Sequence, residues 1–505
     1  MEDLFQLIEA GNVAGVEQQL RVNPLLARLR DEASGFTALH YAASKGQAGV
    51  AKLLLERGAD ATAATLGGKT FRDLAKQKGF ETVAALTVPV VAAVAAATAV
   101  VAPGTPERGT PAPAASPAPG AADKGLVCDV CGATENLSRC TRCKGRHYCS
   151  VEHQRQDWVS GGHKHLCGAS NAQVVLARRP GKATGPLEKG CLELQAAVPV
   201  PQGEVVVRNL FLSLDPYMRG RMSEAPSYAP PQPLGEAMLG ETVGVVVASA
   251  APQLPAGSHV RLANGGWQRY TACRAADAEP LPAPTPQLPL SAQLSALGMP
   301  AVTAWHMVER ILKPARGETV LVSAASGAVG QVAAQLAGLR GATVIGLAGS
   351  EDKCKALARH CRHALNYRDF EGSAARLAAR LRQLAPQGVH CYADSTGGWI
   401  LNAAMAAMAV GGRIAVCGRV ALWEGSGETA ITDPTLILTR QLFIQGFIVP
   451  PEAFAEGRPE LARLLAAGSL HCEETVVEGL EAATDAFASL FDKGSSHLGK
   501  LIVKL

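Results

Sequence analysis

The sequence predicts a multidomain chain with a small helical repeat unit, a cysteine-rich module stabilised by metal, and a larger α/β module. Three observations lead to this prediction. Dipeptides that end in glycine recur about every 33 residues near the N-terminus. Six of the 13 cysteines fall within about forty residues. From about residue 171 onwards, short apolar strands alternate with Ala-rich helices, which is typical of a parallel sheet. A chain of 505 residues has room for several domains.

Composition and charge exclude several classes of function. The 48 basic and 44 acidic residues leave a net charge of only +4, so no nucleic-acid partner is expected. Residues Met1–Phe5 contain no basic region, so no secretory signal is predicted. Val88–Ala102 is too short to span a membrane and contains Pro89. We therefore expect no membrane association, reduced cysteines and a cytoplasmic location, with the nucleus as the alternative.

The first module, residues 1–86, contains a repeated unit. The pairs Ala10-Gly11, Lys45-Gly46 and Lys78-Gly79 recur 35 and 33 residues apart, each between two helix-like segments. The middle unit begins with Thr37-Ala38-Leu39-His40 and ends with Gly58-Ala59-Asp60. This unit resembles the ankyrin repeat, in which the Thr-x-Leu-His turn caps the first helix. The resemblance implies a short solenoid that binds proteins; the alternative is a stabilising appendage without a partner.

Residues 87–125 are rich in Ala, Val, Pro and Gly and end in alternating prolines. Such a composition cannot bury enough apolar surface to fold alone, and prolines favour an extended chain. We interpret this segment as a linker.

The cysteine-rich module, residues 126–168, contains eight candidate metal ligands in four close pairs. The pairs are Cys128 and Cys131, Cys140 and Cys143, Cys149 and His153, and His163 and Cys167. Eight thiolate and imidazole ligands suit two tetrahedral zinc ions, which replace the core that about forty residues cannot form.

This module also resembles the MYND-type zinc finger, through the run Tyr148-Cys149-Ser150 followed by Gln154 and Trp158. The resemblance implies interleaved ligands, with Cys128, Cys131, Cys149 and His153 on one zinc and Cys140, Cys143, His163 and Cys167 on the other. The family usually has cysteine at the position of His153, and we interpret His147 and His165 as bystanders. MYND fingers generally bind short proline-containing peptides, so such peptides or proteins are the expected partners.

The α/β module contains a candidate nucleotide-binding loop. An apolar strand, Gly317–Val322, is followed by a turn in which Ala324, Gly327 and Gly330 are small, and then by a predicted helix. Small residues at these positions allow a tight turn and a close approach to a pyrophosphate at the helix N-terminus. The next strand ends at Ser350, with Lys353 shortly after it. A hydroxyl and an ammonium suit a 2′-phosphate, so NADPH is favoured over NADH, although Glu351 and Asp352 lie close by.

Further motifs extend over residues 171–505. In chain order they are Ser213–Met222, Gly266-Trp267-Gln268, Gly298-Met299-Pro300, Asn366-Tyr367 and Gly446–Val449. They closely resemble the zinc-independent medium-chain reductases, which include prostaglandin reductase (leukotriene hydroxydehydrogenase), plant alkenal double-bond reductases and bacterial curcumin reductase.

The resemblance implies a barrel-like GroES-type substrate lobe (171–295 and 445–505) beside a Rossmann lobe (296–444), and a homodimer. It also implies the absence of a catalytic zinc. Consistent with this implication, the segment Gly240–Gly244 lacks the His of the zinc alcohol dehydrogenases. The implied activity is NADPH-dependent reduction of the C=C bond of α,β-unsaturated ketones and aldehydes. In this reaction hydride reaches the β-carbon, and the enolate is stabilised and then protonated.

The same resemblance implies the roles of individual residues. The pyrophosphate would be held by Ala324, Gly327, Ala328, Val329 and Gly330. The 2′-phosphate end would be bound by Ser350, Lys353 and Tyr367. The nicotinamide side would be lined by Ser395, Cys417, Gly418, Phe447, Ile448 and Val449. Tyr217 would face the substrate, and Tyr228 is either its neighbour or a packing residue.

Three positions depart from the family pattern. Trp423, at the catalytic position, replaces a tyrosine that is a candidate proton donor. Ser395 and His497, both expected to bind the cofactor, each replace an asparagine. An indole N–H donates a hydrogen bond but is no practical acid, so the proton would come from a ribose hydroxyl and water. These departures leave two alternatives open: a scaffold or NADPH sensor with a weakened reductase domain, and a quinone reductase.

Overall fold

The computed structural model describes most of the chain in two compact units, Met1–Ala121 and Ala122–Leu505. The described residues are 2–22, 36–57, 59–61, 63–65, 67–86, 128, 130–131, 133–142, 146–159, 163–181, 187–225, 227–370, 373–420, 430–492 and 494–505. The predicted linker, Gly58, Cys143 and Trp423 lie outside them. Within the described residues, every helix is too short or too polar to cross a bilayer.

The first unit consists of paired helices. They are Glu2–Glu9, Val13–Val22, Ala38–Ser44, Ala48–Glu56, Phe71–Gln77 and Glu81–Ala84. Thr37 caps the third helix: its Oγ1 accepts from the His40 backbone N–H at 3.3 Å. The Nε2 atom of the His40 ring lies 3.1 Å from the carbonyl oxygen of Lys69, in the following repeat. The Thr-x-Leu-His turn therefore both starts a helix and joins two repeats.

The finger is built from a short hairpin and two helices. Ser138–Arg139 pairs antiparallel with His147–Tyr148, and the helices Val151–Val159 and His163–Leu166 follow. The short second helix contacts the strand Thr242–Ser249 of the barrel lobe. The finger and the reductase module therefore pack against each other within the second unit.

The barrel lobe is a seven-stranded sheet with a smaller two-stranded sheet, Ser170–Leu176 and Leu192–Pro199. Along the larger sheet the order is Glu474–Glu478, Lys500–Lys504, Val205–Ser213, Thr242–Ser249, His259–Leu262 and Ala278–Leu281, with Tyr270–Cys273 also pairing to Val205–Ser213. Two short helices, Tyr217–Arg221 and Ala483–Ser489, pack against this lobe.

The Rossmann lobe is a six-stranded parallel sheet covered by helices. Its strands, in spatial order, are His363–Asn366, Thr343–Ala348, Thr319–Val322, Val389–Asp394, Met408–Val416 and Phe443–Gly446. The helices are Met299–His306, Ala328–Leu339, Glu351–Leu357, Ala374–Leu384, Gly398–Ala407, Thr435–Thr439 and Pro451–Ala466. The strand order reverses between Thr319–Val322 and Val389–Asp394, so a ligand crevice is expected at their carboxyl ends.

The return of the chain to the barrel comes later than the predicted boundary at residue 445. The strand Phe443–Gly446 forms the edge of the parallel sheet, and the helix Pro451–Ala466 packs against Met299–His306. Leu461 of this helix is fully buried in the same core as Val320. The chain rejoins the barrel sheet at the strand Glu474–Glu478.

Candidate cofactor site and metal centres

The candidate phosphate loop joins the strand Thr319–Val322 to the helix Ala328–Leu339. Ala324 adopts a left-handed conformation with φ of 45°. A Cβ on Gly330 would lie 2.3 Å from the carbonyl oxygen of Ala324 and 2.6 Å from the Cα of Ala325. Only glycine therefore lets the first helical turn pass so close to the loop. The resulting cradle at a helix N-terminus suits a pyrophosphate.

Polar side chains at the neighbouring strand end support this loop. The Ser395 backbone N–H donates to Ser323 Oγ at 2.9 Å, which ties the loop to the end of Val389–Asp394. Asp394 Oδ1 accepts from the Tyr392 hydroxyl at 2.8 Å and from the Gly397 N–H at 2.9 Å. Burial raises the pKa of Asp394, and its Oδ2 has no hydrogen-bond partner among the described residues. Sequence reasoning missed the supporting roles of Ser323 and Asp394.

Two predicted nicotinamide-side residues meet at the same edge of the sheet. Ser395 Oγ lies 3.3 Å from Cys417 Sγ, and the Cys417 N–H donates to the carbonyl oxygen of Asp394 at 2.9 Å. Burial raises the pKa of the Cys417 thiol to about 11. This thiol is therefore neutral near pH 7 and is no nucleophile.

The predicted 2′-phosphate residues also lie together. Ser350 caps the helix Glu351–Leu357, because its Oγ accepts from the Lys353 backbone N–H at 3.3 Å. The Tyr367 hydroxyl lies against Gly349, only 3.0 Å from where a Cβ would stand. Glu351 and Asp352 are exposed, and Asp352 pairs with Lys355 at 3.1 Å. The two acids that obscured the cofactor preference in the sequence therefore face solvent.

Tyr217 begins the short helix Tyr217–Arg221 and is partly buried. Burial, aided by the negative charges of Asp215 and Glu241, raises the pKa of its phenol. The phenol therefore keeps its proton near neutral pH and can donate a hydrogen bond. Tyr228 interacts electrostatically with Tyr217 but is 61% exposed, so it is not a core packing residue.

Charged groups that the sequence analysis did not single out support Tyr217. Lys500 Nζ lies 3.0 Å from Asp215 Oδ1 in a fully buried pair. Glu241 Oε1 forms an ion pair with Arg261 Nε at 3.5 Å. Burial raises the pKa of Glu241 to about 7, against the opposing effect of Arg261. Nothing in the local sequence signals these contacts, because the partners are far apart in the chain.

Four of the predicted zinc ligands form the first metal centre. The ligand atoms of Cys128, Cys131, Cys149 and His153 all lie within 4.8 Å of one another. Cys149 Sγ is 3.1 Å from His153 Nδ1 and 3.5 Å from Cys131 Sγ. These separations and donor types fit one tetrahedral zinc ion.

Three further ligands, Cys140, His163 and Cys167, form the second group, again within 4.8 Å of one another. Cys140 Sγ lies 3.6 Å from Cys167 Sγ. The carboxylate of Asp157 lies 3.5 Å from His163 Nδ1 and accepts from the Tyr148 hydroxyl at 2.7 Å. A carboxylate on one ring nitrogen orients a histidine so that the other can bind metal. The structure thus brings together the interleaved sets implied by the finger resemblance, with Cys143 outside the described residues.

Comparison with known families agrees with this organisation. Four family models match the chain: an ankyrin repeat at 34–66, a MYND finger at 128–167, an N-terminal domain of oxidoreductase at 172–281 and a zinc-binding dehydrogenase at 328–466.

Relatives match the reductase module over nearly their whole length. A putative NADP-dependent oxidoreductase of Bacillus subtilis, YfmJ, is 39% identical over 346 residues, covering 67% of this chain and 98% of the relative. The NADPH-dependent curcumin reductase of Escherichia coli is 35% identical, covering 66% and 97%, and prostaglandin reductase 1 of Bos taurus is 37% identical, covering 61% and 91%. The crystal structure of Vibrio vulnificus CurA with NADPH superposes with a TM-score of 0.59 at 33% identity, covering 66% and 98%.

The chain belongs to the zinc-independent medium-chain reductases. It is an NADP-dependent oxidoreductase of this family, and it also carries an ankyrin repeat and a MYND finger. One matching model is described as a zinc-binding dehydrogenase. In the part of the reductase module that the structure describes, however, no group of three or more ligand side chains converges, and both converging groups lie in the finger. Among the described residues, the groups that could hold a metal ion are those of the finger.

Proposed function

We propose that this reductase uses NADPH to reduce the C=C bond of α,β-unsaturated ketones and aldehydes. The observation that carries the proposal is the phosphate loop closed over Gly330, with Ser350, Lys353 and Tyr367 grouped at the next strand end. The substrate class follows from relatives named as curcumin and prostaglandin reductases, because curcumin is itself a conjugated enone.

NADPH, when bound, supplies the hydride. The chain's own residues bind the cofactor, orient it and stabilise the charge that develops on the carbonyl oxygen. Ser395 and Cys417 are the side chains proposed to position the nicotinamide. Tyr217 is the proposed donor to the oxyanion, since its phenol stays protonated in this partly buried site.

The finger and the repeat unit are proposed as the protein-binding parts. Two structural zinc ions would hold the finger in shape, and its expected ligands are proline-containing peptides. These modules would place the reductase near a partner, and the chemistry would remain in the α/β module.

A homodimer is proposed through the edge of the Rossmann sheet. Among the described strands, Phe443–Gly446 pairs on one side only, with Met408–Val416. Phe443, Leu438 and Ile448 are exposed apolar side chains on or near this edge. Phe443→Lys is expected to yield a monomer by sedimentation, whereas Val476→Lys, on the exposed edge of the barrel sheet, leaves the dimer intact.

A second candidate, an NADPH-binding sensor or scaffold, is favoured by one observation. Trp423 stands where the family has tyrosine, and its indole cannot serve as a practical acid. If the proton came only from that position, the chain would bind NADPH and turn over poorly.

The test is NADPH consumption by the full chain with a panel of 2-alkenals, enones and quinones, with product masses measured. A gain of two hydrogens across the C=C bond is expected. NADPH binding without turnover, together with a large gain in rate in Trp423→Tyr, would support the sensor instead. Consumption with quinones alone would assign quinone reduction.

A further inference from the structure

The second metal centre of the finger adjoins the start of the barrel lobe. Its ligand His163 begins a short helix and its ligand Cys167 directly follows that helix, with the Cys167 backbone N–H donating to the His163 carbonyl oxygen at 2.7 Å. The Ala169 N–H donates to the Leu166 carbonyl oxygen at 3.0 Å, and the strand Ser170–Leu176 starts immediately after this turn. A metal ion held by these two ligands therefore fixes the point at which the chain enters the barrel lobe.

The same helix, His163–Leu166, also packs against the larger sheet of the barrel. It contacts the strand Thr242–Ser249, which is remote from the junction in sequence. The helix has only four residues, so it needs support from outside itself to be stable in water. The finger is thus attached to the barrel lobe at two places, the start of Ser170–Leu176 and the strand Thr242–Ser249.

Asn171, the second residue of the strand Ser170–Leu176, holds a neighbouring part of the barrel. This residue is only 1% exposed. Its Nδ2 donates to Gln268 Oε1 and to the Tyr270 carbonyl oxygen, each at 3.1 Å, and its Oδ1 accepts from the Tyr270 N–H at 2.9 Å. Buried amide groups are costly to leave without partners, so the native sheet requires Asn171 to stay at this position.

A buried hydrogen-bond network continues from Gln268 to the second attachment. Asn209 Nδ2 donates to the Gln268 carbonyl oxygen at 2.8 Å and to Thr271 Oγ1 at 2.9 Å. Asn209 Oδ1 accepts from the Thr242 hydroxyl at 2.9 Å. Thr242 begins the strand against which the finger helix packs. The two attachments of the finger are therefore the two ends of one buried network.

We propose that the second metal centre is a structural part of the substrate lobe as well as of the finger. His163 and Cys167, when they hold zinc, fix the short helix that carries both attachments, and so they keep the buried network in place. A tetrahedral zinc site contributes folding free energy that so small a module cannot obtain from a core. The inference concerns folding alone and does not depend on the proposed reduction of enones.

The first metal centre offers a matched comparison. Cys131 is a ligand of the first centre and Cys140 of the second, and both precede the strand Ser170–Leu176 by about thirty residues or more. The same cysteine-to-serine change at each position therefore removes one ligand from one centre. It leaves the short helix, the junction and Asn171 unaltered in sequence.

The experiment is hydrogen exchange of the full chain, followed by mass spectrometry, for the wild type, C140S and C131S, with the zinc content of each protein measured. In C140S, which is expected to lose the second zinc, the amides of Ser170–Leu176 and of Tyr270 are expected to exchange at least about tenfold faster than in the wild type. In C131S, which is expected to lose the first zinc, these amides keep the wild-type rate. The strand Thr319–Val322 of the Rossmann sheet serves as an internal control and is expected to remain equally protected in all three proteins.

Wild-type exchange of Ser170–Leu176 in a C140S protein that has lost one zinc overturns the inference. Equally fast exchange in C131S and C140S overturns the assignment to the second centre, and loss of protection in Thr319–Val322 as well would show general unfolding instead. If C140S fails to fold, both zinc ions are removed from the wild type with a chelator. Faster exchange of Ser170–Leu176 is then expected, and unchanged exchange overturns the inference.

Discussion

The ammonium of Lys500 lies 3.0 Å from the carboxylate of Asp215, with both side chains at most 5% exposed. Lys500 also donates to the carbonyl oxygen of Leu214 at 2.6 Å. This pair fastens the strand Lys500–Lys504 to the turn that leads into Tyr217. It therefore sets both the closure of the barrel and the position of the proposed oxyanion donor.

Asp215→Ala is expected to destabilise the reductase by about 3–5 kcal/mol, because it leaves a buried ammonium without its partner. The free energy of unfolding in urea measures the effect. The matched control is Glu478→Ala, which removes the partner of Lys504 on the same strand. That pair is also 3.0 Å long but is mostly exposed, so a loss of at most about 1 kcal/mol is expected. Equal losses in the two variants would contradict the assigned role of burial.

Gly330→Ala is expected to abolish measurable NADPH binding, since its Cβ would lie 2.3 Å from the Ala324 carbonyl oxygen. Backbone atoms cannot move aside as a flexible side chain does, so the loop must change shape. Fluorescence of bound NADPH provides the measurement. Gly338→Ala, in the same helix, meets nothing within 4 Å and is expected to bind normally and gain up to about 1 kcal/mol of stability. Normal binding by Gly330→Ala would show that the loop is not the phosphate cradle.

Sequence reasoning reaches furthest where the geometry depends on local spacing. The small residues Ala324, Gly327 and Gly330 predict the loop, because a strand, turn and helix that follow directly in the chain form one unit. The four ligand pairs of the finger are likewise local. The support of Tyr217 by Lys500 was out of reach, since the two are separated by nearly three hundred residues and no short pattern links them. The barrel boundary was placed too early because the helix Pro451–Ala466 resembles any other surface helix in the sequence.

His153→Ala is expected to lower the zinc content of the full chain from two ions to one, since it removes one of four ligands. His153→Cys is expected to retain two ions, because a thiolate binds zinc equally well and is the usual residue of the family. Metal analysis of the purified proteins distinguishes these outcomes. His147→Ala, the bystander, is expected to keep both ions, and a loss of zinc in that variant would require a different ligand set.

Glu241 predicts a pH dependence of stability. Its pKa is raised to about 7 in the folded protein, against about 4.5 when unfolded, so the folded state binds the extra proton between these values. Its contribution to stability is therefore present below pH 4.5 and lost as pH rises through 7. Relative to Glu241→Gln, the wild type is expected to lose roughly 1–3 kcal/mol between pH 4.5 and 7.5. Thermal unfolding at a series of pH values in this range measures the loss of stability. The control is Glu478→Gln, at an exposed position, which is expected to show the same pH dependence as the wild type.

The strand Lys500–Lys504 lies between Glu474–Glu478 and Val205–Ser213 in the barrel sheet. During synthesis, Val205–Ser213 leaves the ribosome long before the strand Lys500–Lys504 has been made. All six strands of the Rossmann sheet, by contrast, are complete by residue 446. The order of translation therefore favours a nascent chain whose nucleotide lobe can fold first. During that interval one side of Val205–Ser213 has no strand to pair with and can pair with strands of other chains. Chaperones would cover this edge until Lys500–Lys504 has been synthesised.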